Sequence, residues 1–259
     1  MHPIAFHIGD FTIRSYGVMA AIGFLLGCFL LNLNRKYAKM SSDQASSALF
    51  VAMIAGIVGA RIFYVIQFFD HYRGHLWSIF RIDQGGLVFY GGFLLAIISL
   101  IVYCRLQKLD FVRVLDLFAP TLAVAHACGR IGCFLNGCCY GKPTELFWGV
   151  VYPAGSEAVL HYGERPLHPV QLYEAGEMLL LFGLFFHLVR HAKRGVAASS
   201  YILVYGVLRF LNEFLRGDNP KVFHLFTPAQ LIGLLLIPAG LGLLLYFLYH
   251  GKQDPALSD

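Results

Sequence analysis

The sequence predicts an all-α membrane protein, a bundle of about seven transmembrane helices with an external arm. Three observations predict it. The 259 residues are 58% hydrophobic. Only 14% are charged, against about a quarter in a soluble globular protein. The apolar residues gather in seven stretches, near 15–33, 45–69, 86–104, 114–136, 169–190, 199–215 and 228–249. Each reaches or approaches the roughly 20 residues that a helix needs to cross a bilayer.

Taken in order, the first four stretches carry glycines where neighbouring backbones have room to approach: Gly23 and Gly27, then Gly56 and Gly59, then Gly91 and Gly92, then Gly129 and Gly132. Link 70–85 runs into Gly85-Gly86-Leu87-Val88-Phe89-Tyr90-Gly91-Gly92. Such glycine pairs permit positive φ or close approach by a backbone or a ligand; helix packing plus a turn is the simpler explanation for the glycine pairs alone. Link 137–168 is too long for a plain connector and reads as an external arm. Its Leu146–Tyr152 run suits a short strand or an interfacial segment, with aromatics at headgroup depth. The sixth stretch is short for a span, and is expected to tilt little or to continue past its charged end. No like-charge block or Ser/Pro-rich linker divides the chain, so 1–259 reads as a single polytopic domain. The net charge of +5 is dispersed and offers no patch for nucleic acid.

Basic residues orient the bundle. The links after spans one, three and five carry Arg35, Lys36 and Lys39, then Arg105, Lys108 and Arg113, then Arg190, Lys193 and Arg194. The opposite links are longer and sparser. This places the N-terminus outside and the C-terminus inside. No cleavable signal is expected, because the first span outruns a signal's apolar region. Leu25-Leu26-Gly27-Cys28 resembles a lipoprotein processing box only by chance in a Leu/Gly-rich helix.

Eight ionisable residues remain inside the spans: Arg61, Asp116, His126, Arg130, Glu174, Glu177, Arg209 and Glu213. A charged one costs about 2.5–3.5 kcal/mol at mid-bilayer on insertion scales. Structural pairing is one explanation, as for Arg209 and Glu213 one helical turn apart. Three arginines ask for more, because a guanidinium grips phosphate bidentately and the membrane's abundant phosphate is the phospholipid headgroup. Arg130, Glu174 and Glu213 lie near the outward ends of their spans, which points to a charged cavity open to the outer leaflet.

Stretches spread along the whole chain carry a resemblance. They are Arg14-Ser15-Tyr16-Gly17, Gly59-Ala60-Arg61, the GGLVFYGG block, Asp116 through Ala119-Pro120, GRIGCFLNG at 129–137, RPLHPVQLYEA at 165–175 and LRFLNEFLRGD at 208–218. In these the chain resembles the prolipoprotein diacylglyceryl transferase family. The resemblance implies a multi-pass enzyme of the bacterial inner membrane whose site faces the periplasm. Such an enzyme moves the diacylglyceryl group of phosphatidylglycerol to the lipobox cysteine thiol of a prolipoprotein signal peptide, releasing glycerol phosphate. It implies that Arg130 and Arg209 hold the phosphate and that Glu213 orients Arg209 or assists proton removal. Arg61, Asp116, Asn136, Tyr173, Glu174, Gly91 and Gly92 fall within substrate binding, with His168 and Gln171 at the cavity mouth.

The chain departs from the family where it reads Phe89-Tyr90-Gly91-Gly92 in place of FHGG, so that Tyr90 stands where a histidine serves as proposed proton acceptor. It also reads GCFLNGC at 132–138 in place of GNFINGE. Tyrosine, with a pKa of about 10, is a weak base at neutral pH unless a neighbouring arginine depresses it. Phosphate recognition is thereby expected to persist while the proton-handling side is altered.

Cys128, Cys133, Cys138 and Cys139 have three readings: small packing residues, an external disulfide, or a reactive or metal-binding group. The absence of a C-x2-C pair argues against structural zinc, and nothing in the sequence requires a metal or organic cofactor. The alternatives to prolipoprotein modification are a transferase with another acceptor, a lipid-binding or transport protein without chemistry, and a thiol–disulfide membrane protein.

Overall fold

The computed structural model describes residues 1–9, 11–81, 85–219 and 225–251. Among them, six helices are long and apolar enough to cross a membrane: α1 (Ser15–Asn34), α2 (Ser42–Gln67), α3 (Phe89–Leu106), α4 (Phe111–Asn136), α6 (Val170–His191) and α8 (Pro228–His250). A seventh apolar helix, α7 (Val196–Asn212), is shorter. The chain is thus an all-α membrane protein of about seven helices. Leu180 and Leu235 are 83% and 72% exposed on such helices, as expected of side chains that face hydrocarbon rather than water.

Helix ends follow local chemistry. Ser41 caps α2 by accepting from Gln44 N–H, and the Gln44 side chain accepts from Ser41 N–H in return, a reciprocal box that starts the helix earlier than hydropathy alone places it. The expectation that the sixth span runs past its charged end is reversed. α7 begins at Val196, with Gly195 at φ +85° as its cap, and ends at Asn212. A cap glycine has no side chain to offer. Asp116 supplies the acceptor, taking Gly195 N–H at 2.7 Å and Ala198 N–H at 3.0 Å, with its charge at the positive end of the helix dipole.

The chain divides into two compact units, residues 31–114 and residues 1–30 with 115–259. In the first, α2 and α3 pack backbone to backbone. A Cβ on Gly59 would sit 2.4 Å from Gly91 O, and one on Gly92 would sit 2.7 Å from Gly56 O. Arg61, buried on α2, spends its guanidinium on the loop before α3. Its nitrogens donate to the carbonyls of Ser78, Ile79, Arg81, Gly85 and Gly86 at 2.7–3.1 Å, and it lies over the rings of Tyr64 and Tyr72.

The second unit opens with an antiparallel hairpin, β1 (Ile4–Ile8) and β2 (Phe11–Arg14). Hydropathy did not reveal it, because these strands are too short to register in a search for spans. α4 is the most buried of the long helices, with 61% of its apolar window enclosed. The arm at 137–168 forms no continuous strand at 146–152. It makes isolated bridges, Pro143 and Val150 with Leu167 and Gly141 with Arg216, and a short helix α5 (Glu157–Tyr162). Its own small core comprises Tyr140, Tyr152, Ala158 and Leu167. Lys142 N–H donates to Leu215 O, Gly217 N–H to Tyr140 O and Lys142 Nζ to Phe214 O. These bonds clamp the turn that follows α7.

Candidate active site: guanidinium groups around Glu174

Three helices of the second unit contribute charge to one buried cluster. α4 supplies His126 and Arg130, which share a face at i, i+4. α6 supplies Glu174 in its second turn. α7 supplies Arg209, and the turn after it supplies Glu213, four residues on from Arg209, and Arg216, which bridges Gly141. Glu174 stands at the centre. Its Oε2 lies 2.7 Å from Arg130 Nη2 and 3.6 Å from His126 Nε2. Its Oε1 lies 3.6 Å from Arg209 Nη1 and 4.0 Å from Arg216 Nη1.

Outer partners orient the guanidinium planes. Arg130 Nε–H donates to His126 Nε2 at 3.1 Å, so that nitrogen is the acceptor and a neutral His126 carries its proton on Nδ1. Glu213 Oε2 approaches Arg209 Nη2 at 3.0 Å, while Asn219 Nδ2 donates to Glu213 Oε1 at 2.5 Å. Asp218 takes Arg216 in a two-pronged pair at 2.9 and 2.7 Å. On the inner side, Asn212 Nδ2 donates to Glu177 Oε2 at 2.6 Å.

The cluster is left incomplete. Arg209 Nη1, Glu174 Oε1 and Glu213 Oε2 are buried without a hydrogen-bond partner on the described protein. Arg209 thus reaches Glu213 with one arm of its fork and holds the other out, unfilled. Buried polar groups are ordinarily satisfied, and an unfilled guanidinium arm beside two further arginines is an anion-binding arrangement.

The arm contributes a second group next to this one. Gly137 at φ +78° and Cys139 at φ +65° reverse the chain after α4. Gln171, fully buried, donates through Nε2 to Cys138 O at 2.6 Å and to Tyr152 OH at 2.9 Å. The Asn136 side chain bonds the Cys138 thiol. The sulfurs of Cys133, Cys138 and Cys139 consequently lie within 4.8 Å of one another. The Cys138 thiol donates to Cys133 O at 3.7 Å, and the neighbouring thiols, aided by Arg216 and Arg130 and opposed by burial, hold Cys139 below the ordinary thiol range. Tyr173 OH accepts from Trp148 Nε1 at 2.7 Å and lies 3.2 Å from His168 Nδ1; burial holds the His168 imidazole below its usual range.

Of the residues singled out in the sequence, Arg130, Glu174, Arg209 and Glu213 converge. Asn136 and Gln171 meet at the cysteine turn, and His168 and Tyr173 meet on the arm. Four groups have other occupations. Arg61 is saturated by loop carbonyls and has no free fork for phosphate. Asp116 caps α7 through Gly195 N–H and Ala198 N–H. Gly91 and Gly92 are buried against α2, where a Cβ would collide with Phe63 and with Gly56. Tyr90, on the first turn of α3, is half exposed beside Phe89. Arg216, Asp218 and Asn219 were not singled out as site residues, although the 209–213–216 periodicity carried the signal for Arg216. His126 carried a similar signal in its spacing from Arg130.

This geometry sits in a chain whose relatives are known. The sequence profile of the family described as prolipoprotein diacylglyceryl transferase matches residues 3–246. The phosphatidylglycerol–prolipoprotein diacylglyceryl transferase of Clostridium tetani is 35% identical over 242 residues, 93% of this chain and 96% of the relative. That of Clostridium kluyveri is 32% identical over 254 residues, 98% and 99% of the two chains, and one from Clostridium botulinum is 34% identical over 251 residues, 96% and 97%. With a family match along nearly its whole length, and buried arginines gathered among its membrane helices, the chain belongs to the prolipoprotein diacylglyceryl transferase family.

Proposed function

We propose that this protein transfers the diacylglyceryl group of phosphatidylglycerol to the thiol of a lipobox cysteine in prolipoprotein signal peptides. The reaction takes place at the periplasmic face of a bacterial inner membrane, with the N-terminus outside and the C-terminus cytoplasmic. The relatives bear that activity in their names, and the basic links after spans one, three and five support the orientation. The observation that carries the reading is the unfilled arm of Arg209 beside Arg130 and Arg216, buried among apolar helices.

The chemistry is an alkylation of sulfur. The acceptor thiolate attacks the glycerol carbon that bears the phosphate ester; an S–C bond forms, the C–O bond breaks, and the electron pair leaves on the phosphate oxygen. A phosphodiester with one negative charge becomes a glycerol phosphate with two. Charge therefore develops on the phosphate during the step, and preorganised cations in a water-poor site stabilise that development most. Arg130 and Arg209 receive the phosphate, Glu213 sets the Arg209 fork, and Glu174 holds the three guanidiniums together until the lipid enters. His168 and Tyr173 line the approach along the arm, and Gln171 and Asn136 shape the turn beside it.

Complementation of a strain depleted of its own transferase, with mass analysis of a lipobox peptide incubated with phosphatidylglycerol, tests the reading. Growth, a diacylglyceryl mass gain and glycerol phosphate release are expected, and all should disappear in Arg130→Ala. Lipid turnover without a peptide adduct would instead favour a different acceptor, the reading to which cysteines in place of the family's asparagine and glutamate lend weight.

A further inference from the structure

The cysteine turn has no part in the chemistry above, yet it is built. Cys139 holds a left-handed φ of +65°, a conformation that costs a residue with a Cβ about 1–3 kcal/mol. The neighbouring peptide is pinned by Gln171 at Cys138 O and by the Cys138 N–H to Cys133 O bond of 3.2 Å. The result is three half-buried sulfurs within 4.8 Å of one another. Sulfurs bound to one zinc at about 2.3 Å lie about 3.8 Å apart in a tetrahedron, so a rotamer adjustment of about 1 Å closes the set. Three thiolates select a soft or borderline cation over magnesium or calcium. Three protein ligands, rather than four, leave one position open, as in catalytic zinc sites.

Two further facts place this group beside the phosphate cluster. Cys133 is one turn beyond Arg130 on α4, on the same face, and Gly141, just past Cys139, bridges Arg216. Meanwhile the acceptor thiol must lose a proton, and Tyr90, on the first turn of α3, is half exposed with its ring against Phe89.

We propose that Cys133, Cys138 and Cys139 bind a Zn2+ ion whose fourth position takes the acceptor cysteine as a thiolate. The proposal rests on the transferase reading for its acceptor, but not for the metal site. On binding, the acceptor S–H proton passes to water at the mouth of the site and the sulfur becomes a zinc thiolate, since a metal deprotonates a coordinating thiol outright. That sulfur then attacks the glycerol carbon, and the pair leaves on the phosphate as described above. The product thioether is a neutral, weak ligand and departs, so zinc keeps its charge throughout. Zinc with four thiolates carries two negative charges, which Arg130 and Arg216 offset. Asn136 and Gln171 orient the ligands from the next layer, where such partners are worth about 10–100-fold in metal affinity.

The test uses the full chain, purified under reducing conditions, stripped with a chelator and titrated with Co2+. One Co2+ per chain should bind with thiolate-to-cobalt charge-transfer absorption and the intense visible bands of a tetrahedral ion, and Zn2+ should displace it. Cys133→Ser, Cys138→Ser and Cys139→Ser should each weaken binding at least about tenfold, and Gln171→Ala should weaken it on the scale of an outer partner. Zinc X-ray absorption on the unmutated protein, which needs no variant to fold, should show about three sulfurs near 2.3 Å. A lipobox peptide should change the cobalt bands, and its Cys→Ser counterpart should not. The metal site is overturned by a titration without thiolate absorption, by unchanged affinity in the serine variants, or by a disulfide among these cysteines in protein taken from cells. Bound cobalt whose bands ignore the peptide overturns the role in thiol activation. Full transfer activity in the triple serine variant overturns that role too and leaves the transferase reading intact; metal binding without any transfer does the reverse.

Discussion

Arg209→Lys separates a bidentate phosphate grip from a simple positive charge. In the structure Arg209 Nη2 approaches Glu213 Oε2 at 3.0 Å, while Nη1 stands 3.6 Å from Glu174 Oε1 with no hydrogen bond. One guanidinium thus serves Glu213 and still has an arm for the lipid phosphate. Lysine keeps the charge but has a single nitrogen, which the negative side chain one turn away will draw to itself. The donor aimed at the departing phosphate is lost. Removing one such donor from a site of developing negative charge costs about 2.7–4 kcal/mol, or about 100–1,000-fold in kcat. Because the charge develops in the transition state, kcat should fall more than KM for phosphatidylglycerol rises. The assay is glycerol phosphate release in lipid nanodiscs with a lipobox peptide, alongside a thermal melt to confirm folding. A folded Arg209→Lys protein with the original kcat would refute the fork argument, and a change confined to KM would refute its transition-state role.

Other sites give independent checks. Arg61→Ala should lower stability by at least about 3 kcal/mol, because five carbonyls lose a charged donor; limited proteolysis between α2 and α3 should accelerate, and an unchanged melt and cleavage pattern would contradict the loop-anchoring role. Asp116→Ala should cost about 1–2 kcal/mol through loss of the α7 cap, read by thermal unfolding, with Asp116→Asn recovering part of it; equal melts for all three proteins would count against capping. Gly92→Val forces a Cβ to within 2.7 Å of Gly56 O and should destabilise by about 1–3 kcal/mol, whereas a neutral effect in the melt would mean that the two helices part easily there. Glu174→Gln leaves three buried guanidiniums short of a counter-charge, which should cost about 3–5 kcal/mol. Phosphatidylglycerol should raise its melting temperature more than it raises that of the unmutated protein, and an equal rise would argue against Glu174 as the group that the lipid phosphate displaces.

The helices of this protein were legible because hydropathy is a local property. Twenty apolar residues in a row must be a helix in a bilayer wherever the neighbours are, and caps such as Ser41 with Gln44 are written within four residues. The convergence of Arg130, Glu174, Arg209 and Glu213 was also foreseeable, since a charge inside a span demands company. What an individual polar residue does was less legible, because its partner is distant in sequence. Arg61 looked like a phosphate ligand until the carbonyls of Ser78, Ile79, Arg81, Gly85 and Gly86 took up its donors, and Asp116 looked like a partner within the substrate site until Gly195, 79 residues later and without a side chain of its own, claimed it as a cap.

Gly91 and Gly92 gave two readings that only the facing helix separates, because a missing Cβ serves a ligand and a backbone equally. The cysteines show the same limit most sharply. A spacing of 133, 138 and 139 matches no zinc pattern along the chain, yet one left-handed turn and one buried glutamine bring the sulfurs together. Sequence by itself determined the class of fold, a bundle of about seven apolar helices, and the presence of buried charge, since these follow from transfer free energies summed over neighbouring residues. Tertiary structure decided which guanidinium remains free and which thiols meet, since those depend on contacts between segments far apart in the chain.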